Sequence, residues 1–186
     1  PQIDDEFGYV EKGRNYGWPD VNGFCDSPTE LQFCADSNVA EPLYAWTPTI
    51  APSDILWYDS QAIPELENTM LLTVLKDKEL ISLQLNAAGD SVTGITTWFE
   101  NAFGRLRDVE ITPDGSLLLA TNGPDWSNSQ PFTHKLILLR NNNFTPPDTT
   151  TNPGDTVSIA SVHPQHQLTI APNPASNNLS IRFDRE

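Results

Sequence analysis

Seven apolar runs of six or seven residues follow one another between residues 54 and 140, with no helical pattern between them. They are DILWYD (54–59), TMLLTVL (69–75), ELISLQL (79–85), ITTWFE (95–100), LRDVEIT (106–112), SLLLATN (116–122) and KLILLR (135–140). Turn chemistry such as NAAGD and TPDG lies between them, where Gly and Asp-Gly supply the positive φ of a tight hairpin. Short strands in close succession, with no stretch that shows a sustained helical period with caps, predict an antiparallel all-β fold.

A sandwich and a propeller both satisfy that pattern. The run RDVEITPDGSLLLATN, a strand, a PDG turn and a second strand ending in Thr-Asn, resembles the inner hairpin of a propeller blade. At about 40–50 residues per blade, residues 1–140 make about three blades, roughly half of a six-bladed ring. The start, PQIDDEFGYV, shows neither an initiator Met nor a signal pattern, so the chain reads as beginning inside a larger protein. Residues 141–166 are Asn, Thr, Pro and Asp with little to bury and read as a flexible linker. Residues 167–186 hold two alternating strand patterns around an Asn-Pro turn, too few residues for a core of their own.

Charge narrows the partners. With 25 acidic and 10 basic residues the formal net charge is -15. That excludes nucleic acid, whose binding rests on neutralising phosphates, and disfavours anionic membranes. No apolar run approaches the ~20 residues of a membrane span. Cys25 and Cys34 sit in the loop-like stretch GFCDSPTELQFCADSN. The spacing favours a local disulfide, and an oxidising compartment, over free thiols; two cysteines without a nearby histidine are too few for zinc.

Against this acidic background four stretches stand out. In GRLRDVEITPDG, Arg105 and Arg107 are two apart on a strand, which places them on one face. Such a pair is either a solvated face with weak ion pairs or a clamp for a carboxylate or phosphate anion. In ENTMLLTVLKDKELISL, Lys76 ends an apolar strand and Lys78 follows. They read as a charged turn or, if the strand is an inner one, as cations at the mouth of a channel. GRNYGWPDVNG reads as a rigid loop in which Tyr16 and Trp18 pack. PLYAWTPTIAPSDILWY is a core corner or the wall of a sugar site. The histidines, His134, His163 and His166, lack evident carboxylate partners, and no general base is nominated.

These stretches in this order (DDEFGYVEKGRNYGWP, YAWTPTIAPSDILWY, ENTMLLTVLKDKELISL, GRLRDVEITPDGSLLLATN) resemble the soluble PQQ-dependent aldose (glucose/sorbosone) dehydrogenase family over residues 1 to about 140. The resemblance implies a six-bladed β-propeller that binds calcium and pyrroloquinoline quinone (PQQ) and oxidises the C1 hydroxyl of aldoses to lactones. Lys76 and Leu75 would lie at the cofactor, with Arg105 and Arg107 offsetting its carboxylates. Glu6 and Tyr16 would ligate a structural calcium, and Pro1 the calcium on PQQ. Tyr44 and Trp46 would be substrate-side walls, although Thr47 stands between Trp46 and Pro48 where some members join Trp directly to Pro. The resemblance puts no catalytic residue in this chain, because the family's catalytic histidine belongs to the N-terminal half, and the chain alone is expected to be inactive. Its partners would be an aldose and an external electron acceptor.

The tail LTIAPNPASNNLSIRFD resembles the start of a type A C-terminal sorting domain of type IX secretion. It implies export, through that machinery, to the surface or surroundings of a Bacteroidetes-like bacterium. The competing expectations are a non-catalytic propeller that binds carbohydrate or protein and a purely structural surface module.

Overall fold

The computed structural model describes residues 4–123 and 134–146, together with the backbone pairing of two strands at 166–170 and 179–183. The strands are β1 (Asp5–Phe7), β2 (Tyr44–Trp46), β3 (Pro52–Tyr58), β4 (Thr69–Val74), β5 (Leu80–Leu85), β6 (Val92–Trp98), β7 (Leu106–Ile111), β8 (Leu117–Thr121), β9 (Leu136–Arg140), β10 (His166–Ile170) and β11 (Leu179–Phe183). All seven expected strands are present, and the fold is all-β, a partial propeller. One sheet runs β3-β4-β5-β6 and the next β10-β11-β9-β8-β7, while β1 and β2 form a two-stranded ladder. The tail strand β11 pairs antiparallel with β9. Pro1, His163 and most of the 141–166 stretch lie outside the described residues.

Three expectations change. A helix, α1 (Pro28–Ser37), occupies the stretch read as loop. Ser27 caps it in a reciprocal box with Glu30, Pro28 opens it, and Asn38 closes it at φ 52°. It buries no side chain, so it carries no apolar stripe for a periodicity argument to find. Its fixed anchor is the Cys25–Cys34 disulfide, with Cα atoms 6.6 Å apart. Second, the apolar run 69–75 is not an inner strand: β4 is second in its sheet, and β3 is the edge strand that lies beside edge strand β7. Third, Trp18 does not pack; it is 68% exposed.

The register of the β3–β6 sheet sorts its side chains into two apolar layers. Leu56, Tyr58, Leu71, Leu80 and Trp98 share one face and pack on Leu106, Val109, Leu117, Leu119, Ile137 and Leu139 of the next sheet. Leu72, Val74, Ile81 and Leu83 face the other way, against Phe7, Tyr44 and Trp46 of the β1–β2 ladder. A two-stranded ladder is marginal in water by itself, so β1 and β2 hold their places through this apolar face. Between the two main sheets, the buried Tyr58 hydroxyl donates to Gly115 O at 2.7 Å and accepts from Ile63 N at 3.0 Å. The PDG turn that closes β7–β8 is thereby fixed to the neighbouring sheet. Gly115 sits there at φ +79°, and a Cβ would fall 2.1 Å from Ser60 Oγ.

Candidate functional site

The acidic start of the described chain is a clasp. Asp5 Oδ2 accepts the N–H groups of Ile50 and Ala51, both at 2.7 Å, and Asp4 Oδ1 accepts the Thr47 hydroxyl. These bonds hold the 47–51 segment, with Ala51 at φ 58°, against β1. The same segment receives the end of β4. Beyond Val74 the chain leaves the sheet, and Leu75 N donates to Ala51 O (2.9 Å) and Lys76 N to Ile50 O (3.0 Å). Leu75 is buried, whereas Lys76 is exposed and its ammonium donates to the Thr49 carbonyl and hydroxyl. Local folding thus sets Lys76 at the rim of the β4 end, on a backbone fixed by Asp5.

The start of β7 comes to the same end. Ser53 Oγ donates to Leu106 O at 2.9 Å and lies 2.9 Å from Thr73 Oγ1, so one hydroxyl joins β3, β4 and β7. Leu106 stands between the two arginines, and Thr73 is three residues before Lys76. The strand ends that carry Lys76, Arg105 and Arg107 are therefore assembled together. Simple strand alternation does not aim the arginines, however. Arg105 precedes β7, half-buried, with its carbonyl accepting from Asn122 N at 2.8 Å. Arg107 is exposed at a bulge, because the β7–β8 register shifts between Leu106 and Asp108. An extra residue breaks the parity on which an i, i+2 argument rests.

Sequence reasoning passed over Asp54 and Asp108. Asp54 Oδ2 accepts the N–H of Val109, the residue after Asp108, at 3.0 Å. Hydrogen bonding with the Asp54 carboxyl raises the Asp108 carboxyl above its ordinary range, helped by burial and by the charges of Asp54 and Glu110, while Val109 N opposes it. Glu79, in the turn after Lys78, is pushed up to about 7 by burial first and then by Asp77 and Glu100. Only the adjacency of Asp108 to the arginine pair was a visible signal in the sequence.

The remaining candidates sit elsewhere. Tyr44 and Trp46 share a face of β2 as an edge-on pair, ring centroids 4.8 Å apart at 64°, half-buried against the second apolar layer. Glu6 Oε1 accepts Gly23 N at 2.6 Å. The Tyr16 hydroxyl accepts Glu11 N at 2.5 Å and donates to Glu11 O at 3.3 Å. Glu6 and Tyr16 are thus tied to different partners, and among the described residues no three His, Cys, Asp or Glu side chains could together hold a metal ion. His134 is exposed at φ 55° with its ring against Gly123.

Comparison with known proteins places this arrangement. The chain is 30% identical over 128 residues to the aldose sugar dehydrogenase YliI of Escherichia coli K12, an alignment covering 66% of this chain and 33% of that protein. Among solved structures, a putative oxidoreductase (glucose dehydrogenase) from Thermus thermophilus superposes with TM-score 0.56 at 27% identity, over 73% of this chain and 36% of that one. The PQQ-bound aldose sugar dehydrogenase of Streptomyces coelicolor shares the fold at TM-score 0.58 and 22% identity, over 75% of this chain and 37% of that one. The chain spans about a third of the length of these relatives. The glucose/sorbosone dehydrogenase model matches residues 1–128, a span that holds the acidic clasp, the arginine pair and β8, and the chain belongs to that family.

Proposed function

We propose that this chain is part of a quinoprotein sugar dehydrogenase, an oxidoreductase that oxidises the C1 hydroxyl of aldoses to lactones. The observation that carries the reading is the joining of the β4 and β7 ends through Ser53, which brings the backbone of Lys76, Arg105 and Arg107 to one rim. In a chain of net charge -15, three cations at one rim suit an anionic ligand that the rest of the surface repels. That charge pattern fits PQQ, with Lys76, Arg105 and Arg107 holding its carboxylates and Leu75 as a buried backing residue. When bound, the quinone supplies the hydride acceptor, and the protein supplies binding, orientation and electrostatics. The arginines would offset the negative charge of reduction, and Tyr44 and Trp46 would wall the sugar. The base that takes the hydroxyl proton is assigned to no residue of this chain, so the chain alone is proposed to be inactive.

Calcium fits less completely. Glu6 and the Tyr16 carbonyl would supply two oxygens, and Pro1 a further one at the cofactor, short of the six to eight that calcium takes. Export through type IX secretion machinery, signalled by the PNPAS tail, is proposed with it, supported by the Cys25–Cys34 bridge. An external electron acceptor completes the turnover.

The test uses the intact protein, loaded with PQQ and calcium, with an aldose and an electron-accepting dye. Sugar-dependent dye reduction is expected, and Arg107→Ala should lower PQQ affinity at least about tenfold, the loss of a charge-assisted hydrogen bond. Intact protein that neither binds PQQ nor reduces the dye refutes the reading. A non-catalytic carbohydrate binder is the second reading, favoured by the exposed Trp18; it predicts sugar binding without turnover.

A further inference from the structure

The boundary between β3 and β7 contains two irregularities that face each other. The β3–β4 register shifts between Pro52 and Asp54, which leaves Ser53 as the extra residue. The β7–β8 register shifts between Leu106 and Asp108, which leaves Arg107 as the extra residue. A bulge loses ladder bonds and re-aims the side chain it carries, so its geometry needs support from outside its own ladder. Here the support comes from the neighbouring strand. Ser53 Oγ holds Leu106 O (2.9 Å) and Asp54 Oδ2 holds Val109 N (3.0 Å), one main-chain group on each side of the Arg107–Asp108 pair. Both β3 and β7 are sheet edges, so these side chains bind main-chain groups at a boundary where no strand ladder forms.

We propose that Ser53 and Asp54 are positioning residues that set the aim of Arg107 and Arg105, and that the Asp54–Asp108 carboxyl pair makes this aim depend on pH. The inference rests on the proposed role of the two arginines in holding an anionic cofactor. Asp54 Oδ2 is held on Val109 N, directly beside Asp108, so when both carboxyls are ionised they repel across the boundary and loosen the clamp. The charged groups around the pair are Glu110 and Arg107 of β7, with Arg105 just before that strand. Opposite Asp108 on β8 stands Ala120, and β4 contributes the neutral Thr73. The raised affinity of Asp108 for its proton fixes the sign. The clamp is tightest below the ordinary carboxylate range and weakens as pH rises through the elevated Asp108 value.

The test is titration of the intact protein with PQQ between pH 4 and pH 8, followed by protein fluorescence, with melting temperature recorded for every variant. Ser53→Ala should weaken PQQ binding about fivefold at all pH values, the worth of one hydrogen bond. Asp108→Asn keeps a donor toward Asp54 without the second charge. It should bind PQQ more tightly than the wild type at pH 8 and flatten the pH profile, whereas Glu110→Gln, which removes a nearby charge outside the clamp, should keep the wild-type slope. If Glu110→Gln flattens the profile equally, the effect is general electrostatics and the clamp proposal is overturned. If Arg107→Ala weakens binding but Ser53→Ala and Asp108→Asn change neither affinity nor pH profile, the positioning role is overturned while the cofactor reading stands. If Arg107→Ala has no effect, the cofactor reading itself fails.

Discussion

Tyr58 shows how much one polar atom can hold in a buried boundary. Its hydroxyl is the partner of both Ile63 N and Gly115 O, and the residue has no exposed surface. Tyr58→Phe would leave a donor and an acceptor buried without a partner, a cost of about 1–3 kcal/mol, read as a lower urea midpoint with unchanged m-value. Burial also raises the Tyr58 phenol above its ordinary range, so the bond stays in its neutral form. At Glu79 the same upward shift works against the fold at neutral pH. Its folded value of about 7 lies above the ordinary 4.5, so its contribution is fully present below about pH 4.5 and lost as pH rises through about 7. Glu79→Gln should therefore leave stability at pH 4 unchanged and raise it at pH 8. The gain should be at most about 1 kcal/mol, because the side chain is only partly withdrawn from water and screening reduces the effect. Denaturant titrations at the two pH values measure it.

At the scale of elements, the strands were readable wherever an uninterrupted apolar run met turn residues on both sides. The run TMLLTVL became β4 and SLLLATN became β8 within a residue or two. β1 and β2 were not readable, being three residues each and paired across nearly forty residues of chain. A short ladder of that kind exists because of what it packs on, which local sequence does not state. The helix α1 had a legible start in Ser27 and Glu30, but a helix without a buried face has no periodicity to display. Its dependence on the covalent staple gives a prediction. Cys34→Ser removes a bridge worth about 2–3 kcal/mol for so short a loop. The loss should melt α1, seen as reduced helical circular dichroism, while the cooperative transition of the sheets stays in place. The candidate site divides in the same way. Lys76, Arg105 and Arg107 were found from charge against an acidic background, whereas Ser53, Asp54 and the bulge that carries Arg107 appear only once β3 and β7 meet.

Across the whole molecule, the β3–β6 sheet lies between two apolar layers, one shared with the next sheet and the other with the β1–β2 ladder. β4 and the first four residues of β5 are almost wholly buried, with Met70 the exception, while β3 and β6 are more open to solvent. For an amide proton in β4 or β5 to reach water, the sheet must part from both layers at once, a rarer event than the fraying of an edge. Deuterium should therefore enter β4 and β5 last of all the described segments, and enter α1, which buries nothing, among the first. A mass-spectrometric exchange series would show this order directly. Uptake in β4 as fast as in β6 would mean that the two layers open independently, and that the sheet bearing Lys76 moves without its neighbours.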